Sequence, residues 1–164
     1  MTGAEKLRKA RAVALVFALN ITAPVTAIEE APPPPILTSV KLELTATLGD
    51  GEAKVMPDGA VLPYVVGTSC YGWKVKFTPV DSDVLLEEKL VLPRPPASWG
   101  DDTNATVAAD RLSARTPITA NNYAGTAANT WCVAPGDPRG AYRIVVRHGS
   151  RVLGVVRFTL GTPR

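Results

Sequence analysis

Histidine occurs once in this 164-residue chain, at His148, and cysteine and methionine occur twice each. One imidazole and two thiols cannot assemble a usual structural zinc set, which needs about four ligands. A serine-histidine-aspartate arrangement needs its imidazole beside both a nucleophile and a buried carboxylate. Ser150 is two residues from His148, but such neighbours around an exposed hairpin tip are badly aligned for proton transfer. Phosphate-cradling glycine loops and metal-protease helices are missing too. Asp101 and Asp102, with Asn104 nearby, lack the spacing of a calcium loop and read as a solvated acidic loop. Asn104-Ala105-Thr106 matches a glycosylation sequon, which counts only in a eukaryote. These absences argue against an enzyme, and no metal and no cofactor is expected.

Acidic residues are scarce in places, and their distribution matters more than the net charge of +3. Residues 1–27 carry Lys6, Arg8, Lys9 and Arg11 against Glu5 alone, while residues 28–164 are balanced, with 14 basic and 14 acidic side chains. The basic excess therefore belongs to the first segment and does not predict nucleic-acid binding. That segment has the layout of a secretory signal: a basic start, the apolar run Ala12 to Leu19, and Val25-Thr26-Ala27 as a small-x-small cleavage pattern. The run is too short for a permanent bilayer anchor. A membrane-surface helix that stays attached is the alternative. Cleavage would leave a chain beginning at Ile28, without a transmembrane segment, exported to the periplasm or the extracellular space. An oxidising compartment favours a Cys70–Cys132 disulfide, with two buried free thiols as the alternative.

Segment 28–35 ends in four prolines and reads as a stiff spacer, with the folded domain occupying 36–164. Val40, Leu42, Leu44, Ala46 and Leu48 alternate with polar residues, which predicts a half-buried strand. Gly49-Asp50-Gly51 is a turn and Glu52 to Met56 its returning partner. Pro57-Asp58-Gly59 is a second turn, and Pro63 demotes the run Ala60 to Val66 to an edge strand or irregular segment. Tyr71, Trp73, Val75 and Phe77 share one face of a strand and read as core, although an aromatic stripe also suits a carbohydrate platform. Val84 to Leu92 reads as a strand, with a short helix as the alternative. Segment 93–130 is long, irregular and rich in Ala, Thr, Asn, Asp and Gly. It is either a functional loop or holds strands that the pattern hides, with Thr106-Val107 and Pro117-Ile118 as candidates.

The ending, Arg139 to Leu160, predicts a hairpin turning at His148-Gly149-Ser150-Arg151. Tyr142, Ile144, Val146 and His148 share one face of its first strand. Val152, Val156 and Phe158 are the candidates for that face on the return strand. A three-residue connection or a bulge at Gly154 sets Tyr142 against Phe158 and Ile144 against Val156. It also gathers Arg143, Arg147 and Arg157 on the outward face with Val145, Leu153 and Val155.

The stretch Gly67-Thr68-Ser69-Cys70-Tyr71-Gly72-Trp73-Lys74-Val75-Lys76-Phe77, the segment Leu92-Pro93-Arg94-Pro95-Pro96, and the ending with Gly140, Tyr142, Gly149 and Phe158 together resemble a known pattern. The chain is similar to a family of secreted bacterial domains of unknown function with an immunoglobulin-like sandwich fold. The resemblance covers roughly residues 66–96 and 131–160, and it brings no catalytic residues with it. It implies an all-β, immunoglobulin-like antiparallel β-sandwich of about seven strands. An antibody-type domain is a poor match, since Trp73 follows Cys70 by only three residues and Thr130 holds the tyrosine-corner position.

Function then reduces to three readings. The first is an exported, non-enzymatic module that binds a protein or an anionic envelope component. Residues 28–102 hold 12 acidic and six basic side chains and residues 103–164 two and eight, so the arginines of the last hairpin are its candidate contacts. The second is a carbohydrate or small-ligand module using Trp99 and Tyr123 of segment 93–130. The third is a small enzyme with an unfamiliar site.

Overall fold

The computed structural model describes residues 34–49, 51–100 and 104–162. The signal segment 1–27, most of the 28–35 spacer and the Asp101-Asp102 pair fall outside them. In chain order the strands are β1 (Lys41–Leu48), β2 (Ala53–Met56), β3 (Ala60–Pro63), β4 (Ser69–Lys76) and β5 (Leu85–Val91). They continue with β6 (Thr106–Val107), β7 (Ser113–Thr119), β8 (Thr126–Cys132), β9 (Gly140–His148) and β10 (Arg151–Gly161). No helix occurs among the described residues, so Leu85 to Val91 resolves as strand. Two sheets form, one ordered β2-β1-β4-β8 and the other β3-β10-β9-β5-β7-β6. Nine-residue β9 and eleven-residue β10 form the longest pair.

The sheets close on each other because the predicted apolar faces point inward. Leu44, Ala46, Tyr71, Trp73 and Val75 of the first sheet meet Leu86, Leu90, Tyr142, Ile144, Val156 and Phe158 of the second, all buried. Tyr71 packs edge-on against Tyr142 at 5.5 Å and tilted against Phe158 at 4.7 Å, while Tyr142 stacks on Phe158 at 5.2 Å. Such pairs add about 0.5–1.5 kcal/mol each beyond the area they bury. Every neighbouring pair is antiparallel except β3 with β10, which is parallel and places Pro63 on an outer edge, where a missing N–H costs no ladder bond.

In the last hairpin Phe158 lies opposite Tyr142 and Val156 opposite Ile144, as the pattern predicts. The connection is the two residues Gly149 and Ser150, and a bulge between Val152 and Gly154 restores the phase. That bulge corrects two placements. Val152 pairs with Arg147 on the outer face and is 44% exposed, whereas Leu153 packs against the core. The return strand therefore changes face one residue later than strict alternation predicts. Gly154 lies close under the Leu42 side chain of β1, and a Cβ there would oblige Leu42 to shift.

Segment 93–130 is not irregular throughout. It contributes β6, β7 and β8, which brings the strand count above the expected seven. β6 and β8 close their sheets and β7 lies between β5 and β6; the two longer strands read SARTPIT and TAANTWC, so small and polar residues replace the aliphatic alternation of the centre.

Candidate functional site

The outer face of the six-stranded sheet collects the arginines of the last hairpin. Arg143 of β9 lies opposite Arg157 of β10 on one side and Val91 of β5 on the other. Arg147 lies between Val152 and Glu87, and Val145 lies between Val155 and Lys89. Among the described residues, two acids form ion pairs on this face. Asp58 accepts the Arg157 backbone N–H at 2.6 Å and approaches its guanidinium at 3.4 Å. Glu87 pairs with Arg115 of β7 at 2.8 Å. Arg143 and Arg147 make no ion pair among the described residues. Asp58 thus partners Arg157, while Arg143 and Arg147 lie beside exposed or half-buried valines.

A second polar site lies inside the sandwich, and sequence reasoning missed it. Glu88 of β5 is fully buried. Its carboxylate accepts the indole N–H of Trp73 at 2.5 Å, the indole N–H of Trp131 at 2.5 Å and the Asn129 amide at 2.8 Å. Three neutral donors from β4 and β8 thereby satisfy one acid from the opposite sheet, which is how a buried carboxylate becomes tolerable. The signal available in the chain was weak: a single acid at an inward position of VLLEEKLVL.

The two aromatic residues of the ligand-binding reading are not brought together. Tyr123 is 77% exposed and precedes β8. Trp99 sits at the far end of that strand, edge-on to Trp131 at 6.5 Å, and donates its indole N–H to the Arg111 carbonyl at 3.1 Å. Beside it is a cleft of about 120 Å³ lined in part by Tyr71, Leu92, Trp99, Trp131 and Asp137. Burial raises the Asp137 carboxyl above its ordinary range, against the opposing effect of the Ala134 N–H that it accepts. Burial also pushes the phenols of Tyr71 and Tyr142 well above their ordinary range.

His148 is not the exposed tip residue that the turn suggests. It is buried, with Nδ1 3.0 Å from the Leu85 carbonyl oxygen and Nε2 2.9 Å from that of Pro35. Arg151 donates to the Leu37 carbonyl at 2.8 Å, so the end of the proline segment is docked against the hairpin and covers the imidazole. Cys70 and Cys132 form a disulfide between adjacent strands of one sheet. That differs from the bridge between sheets in antibody domains. The tyrosine corner has moved as well: Tyr142, at the start of β9, donates its hydroxyl to the Pro138 carbonyl at 2.6 Å. No group of three or more metal-ligating side chains occurs among the described residues.

Two facing sheets around an aromatic centre define an all-β sandwich. The chain belongs to the family of the PM0630 beta sandwich domain, whose model matches residues 40–161. Among solved structures it is similar to an immunoglobulin-like protein, PA1606, from Pseudomonas aeruginosa, at 15% identity and a TM-score of 0.49, covering 76% of this chain and 98% of that one. No curated protein matches.

Proposed function

We propose that this domain is an exported, non-enzymatic binding module that docks an acidic protein surface on the outer face of its six-stranded sheet. The observation that carries the reading is the contrast among the arginines. Arg157 and Arg115 have carboxylate partners, whereas Arg143 and Arg147 flank Val145 without one among the described residues. Arginine suits bidentate contact with carboxylates, and it is enriched at protein interfaces. The interleaved Val145, Val152 and Val155 would gain from burial against another protein more than against a charged polymer. The disulfide is compatible with export, as is the fact that no helix among the described residues is long and apolar enough to cross a membrane.

The test uses the doubly substituted Arg143→Glu, Arg147→Glu protein, checked for folding by its urea midpoint. It should lose the partner that the wild-type protein captures from its own envelope fraction, and wild-type capture should weaken as salt rises. Undiminished capture by the folded double variant overturns the proposal. Capture that survives proteolysis of the fraction would assign the face to an anionic polymer instead.

A further inference from the structure

A strand at the edge of a sheet offers unpaired N–H and C=O groups, and proteins guard such edges with short strands, charges or proline. Three edges here are guarded. β2 has four residues and carries Lys54, β3 has four and ends on Pro63, and β6 has two. β8 differs: it closes the four-stranded sheet with seven residues, TAANTWC, that include no charge and no proline.

The ladder shows which groups are open. Val133 donates to the Ser69 carbonyl and Phe77 to that of Gly125, each at 2.8 Å, and Cys132 lies opposite Cys70. Antiparallel pairing alternates, so Ala127, Asn129 and Trp131 bond to β4, whereas Ala128, Thr130 and Cys132 direct their backbone groups away from it. These three residues are exposed, and among the described residues no other segment takes their backbone groups.

We infer that β8 pairs antiparallel with β8 of a second copy of this chain, about a two-fold axis at Thr130. In a two-fold contact the same patch meets itself, so a charged strand would set like charges close together. β8 has none to oppose, and it offers no charge complement to a partner selected by charge. Thr130 would face its own counterpart and exchange both backbone bonds, with Ala128 facing the other copy's Cys132. That makes about six backbone hydrogen bonds. A threonine pair directly across strands is favourable. Trp131 is half-buried on this edge strand, next to the place where the second copy's strand would lie. The inference is independent of the arginine face, which lies on the other sheet.

Sedimentation equilibrium on the wild-type chain should show a reversible dimer. Thr130→Lys and Thr130→Glu should each be monomeric, with urea midpoints equal to that of the wild type at concentrations where it too is monomeric, because Thr130 is exposed in the monomer. Mixing the two should restore dimer, and salt should weaken that mixed dimer. In wild-type protein, hydrogen exchange at Ala128 and Thr130 should slow as concentration rises, a readout that needs no variant. A wild-type monomer at every concentration overturns the inference and leaves the edge to a strand from another protein. A dimer unaffected by Thr130→Lys, or exchange independent of concentration, also overturns it.

Discussion

Glu88 and Trp73 meet across the sandwich interior, the indole N–H of one sheet donating to the carboxylate of the other at 2.5 Å. Together with Trp131 and Asn129, this contact makes the acid a polar pin through an otherwise apolar centre. A pin of this kind favours one alignment of the two sheets, because any slip leaves an acid or an indole unpaired in the interior.

Replacing Glu88 should therefore cost more than its lost volume. Glu88→Gln turns one acceptor into a donor facing other donors, and Glu88→Leu orphans three. Each buried donor left without a partner costs about 1–3 kcal/mol. Urea unfolding followed by tryptophan fluorescence should show both variants strongly destabilised, Glu88→Leu at least as much as Glu88→Gln. An unchanged midpoint in Glu88→Leu would refute the pin.

The Cys70–Cys132 bond closes a separation of 62 residues. In the chain-entropy treatment a loop of that length is worth roughly 4 kcal/mol. Cys132 is exposed, so a small thiol reductant can reach the bond without global unfolding. Reduction should lower the urea midpoint without abolishing the β-sheet signature in circular dichroism. Cys70→Ser combined with Cys132→Ser should reproduce the shift and make the midpoint insensitive to reductant.

Alkaline pH should unfold the domain. Tyr71 and Tyr142 hold their phenol protons to higher pH in the folded state than in the unfolded chain, chiefly because burial disfavours phenolate. The unfolded tyrosines ionise near pH 10, so above that pH the folded state binds more protons and stability falls as pH rises. Each tyrosine adds a slope of up to about 1.4 kcal/mol per pH unit. Urea midpoints should be flat with respect to these groups below about pH 9 and decline beyond pH 10. Tyr142→Phe should be less stable at neutral pH, having lost the bond to Pro138, yet show a shallower alkaline decline.

What could be read directly were the strands whose side chains alternate strongly. β1, β4 and the β9–β10 pair follow from rows such as Tyr71, Trp73, Val75 and Tyr142, Ile144, Val146, because burying one face requires that period. The hairpin register was legible for the same reason: only one alignment keeps the arginines out and the aromatics in. β7 and β8 were not, since small and polar residues such as Ser113, Ala114 and Thr116 fill the inward positions and leave no aliphatic period to detect.

The amino-acid order by itself determined the core face, the outward arginines and the identity of the two cysteines that can bond. Tertiary structure alone decided which polar groups are interior. Glu88 reads as one acid among neighbours until β4 and β8, whose donors lie 15, 41 and 43 positions away, deliver them to it. His148 reads as a turn residue until Pro35, 113 positions earlier, covers it. Burial of a polar side chain depends on partners distant in the chain, and no local pattern encodes where those partners arrive.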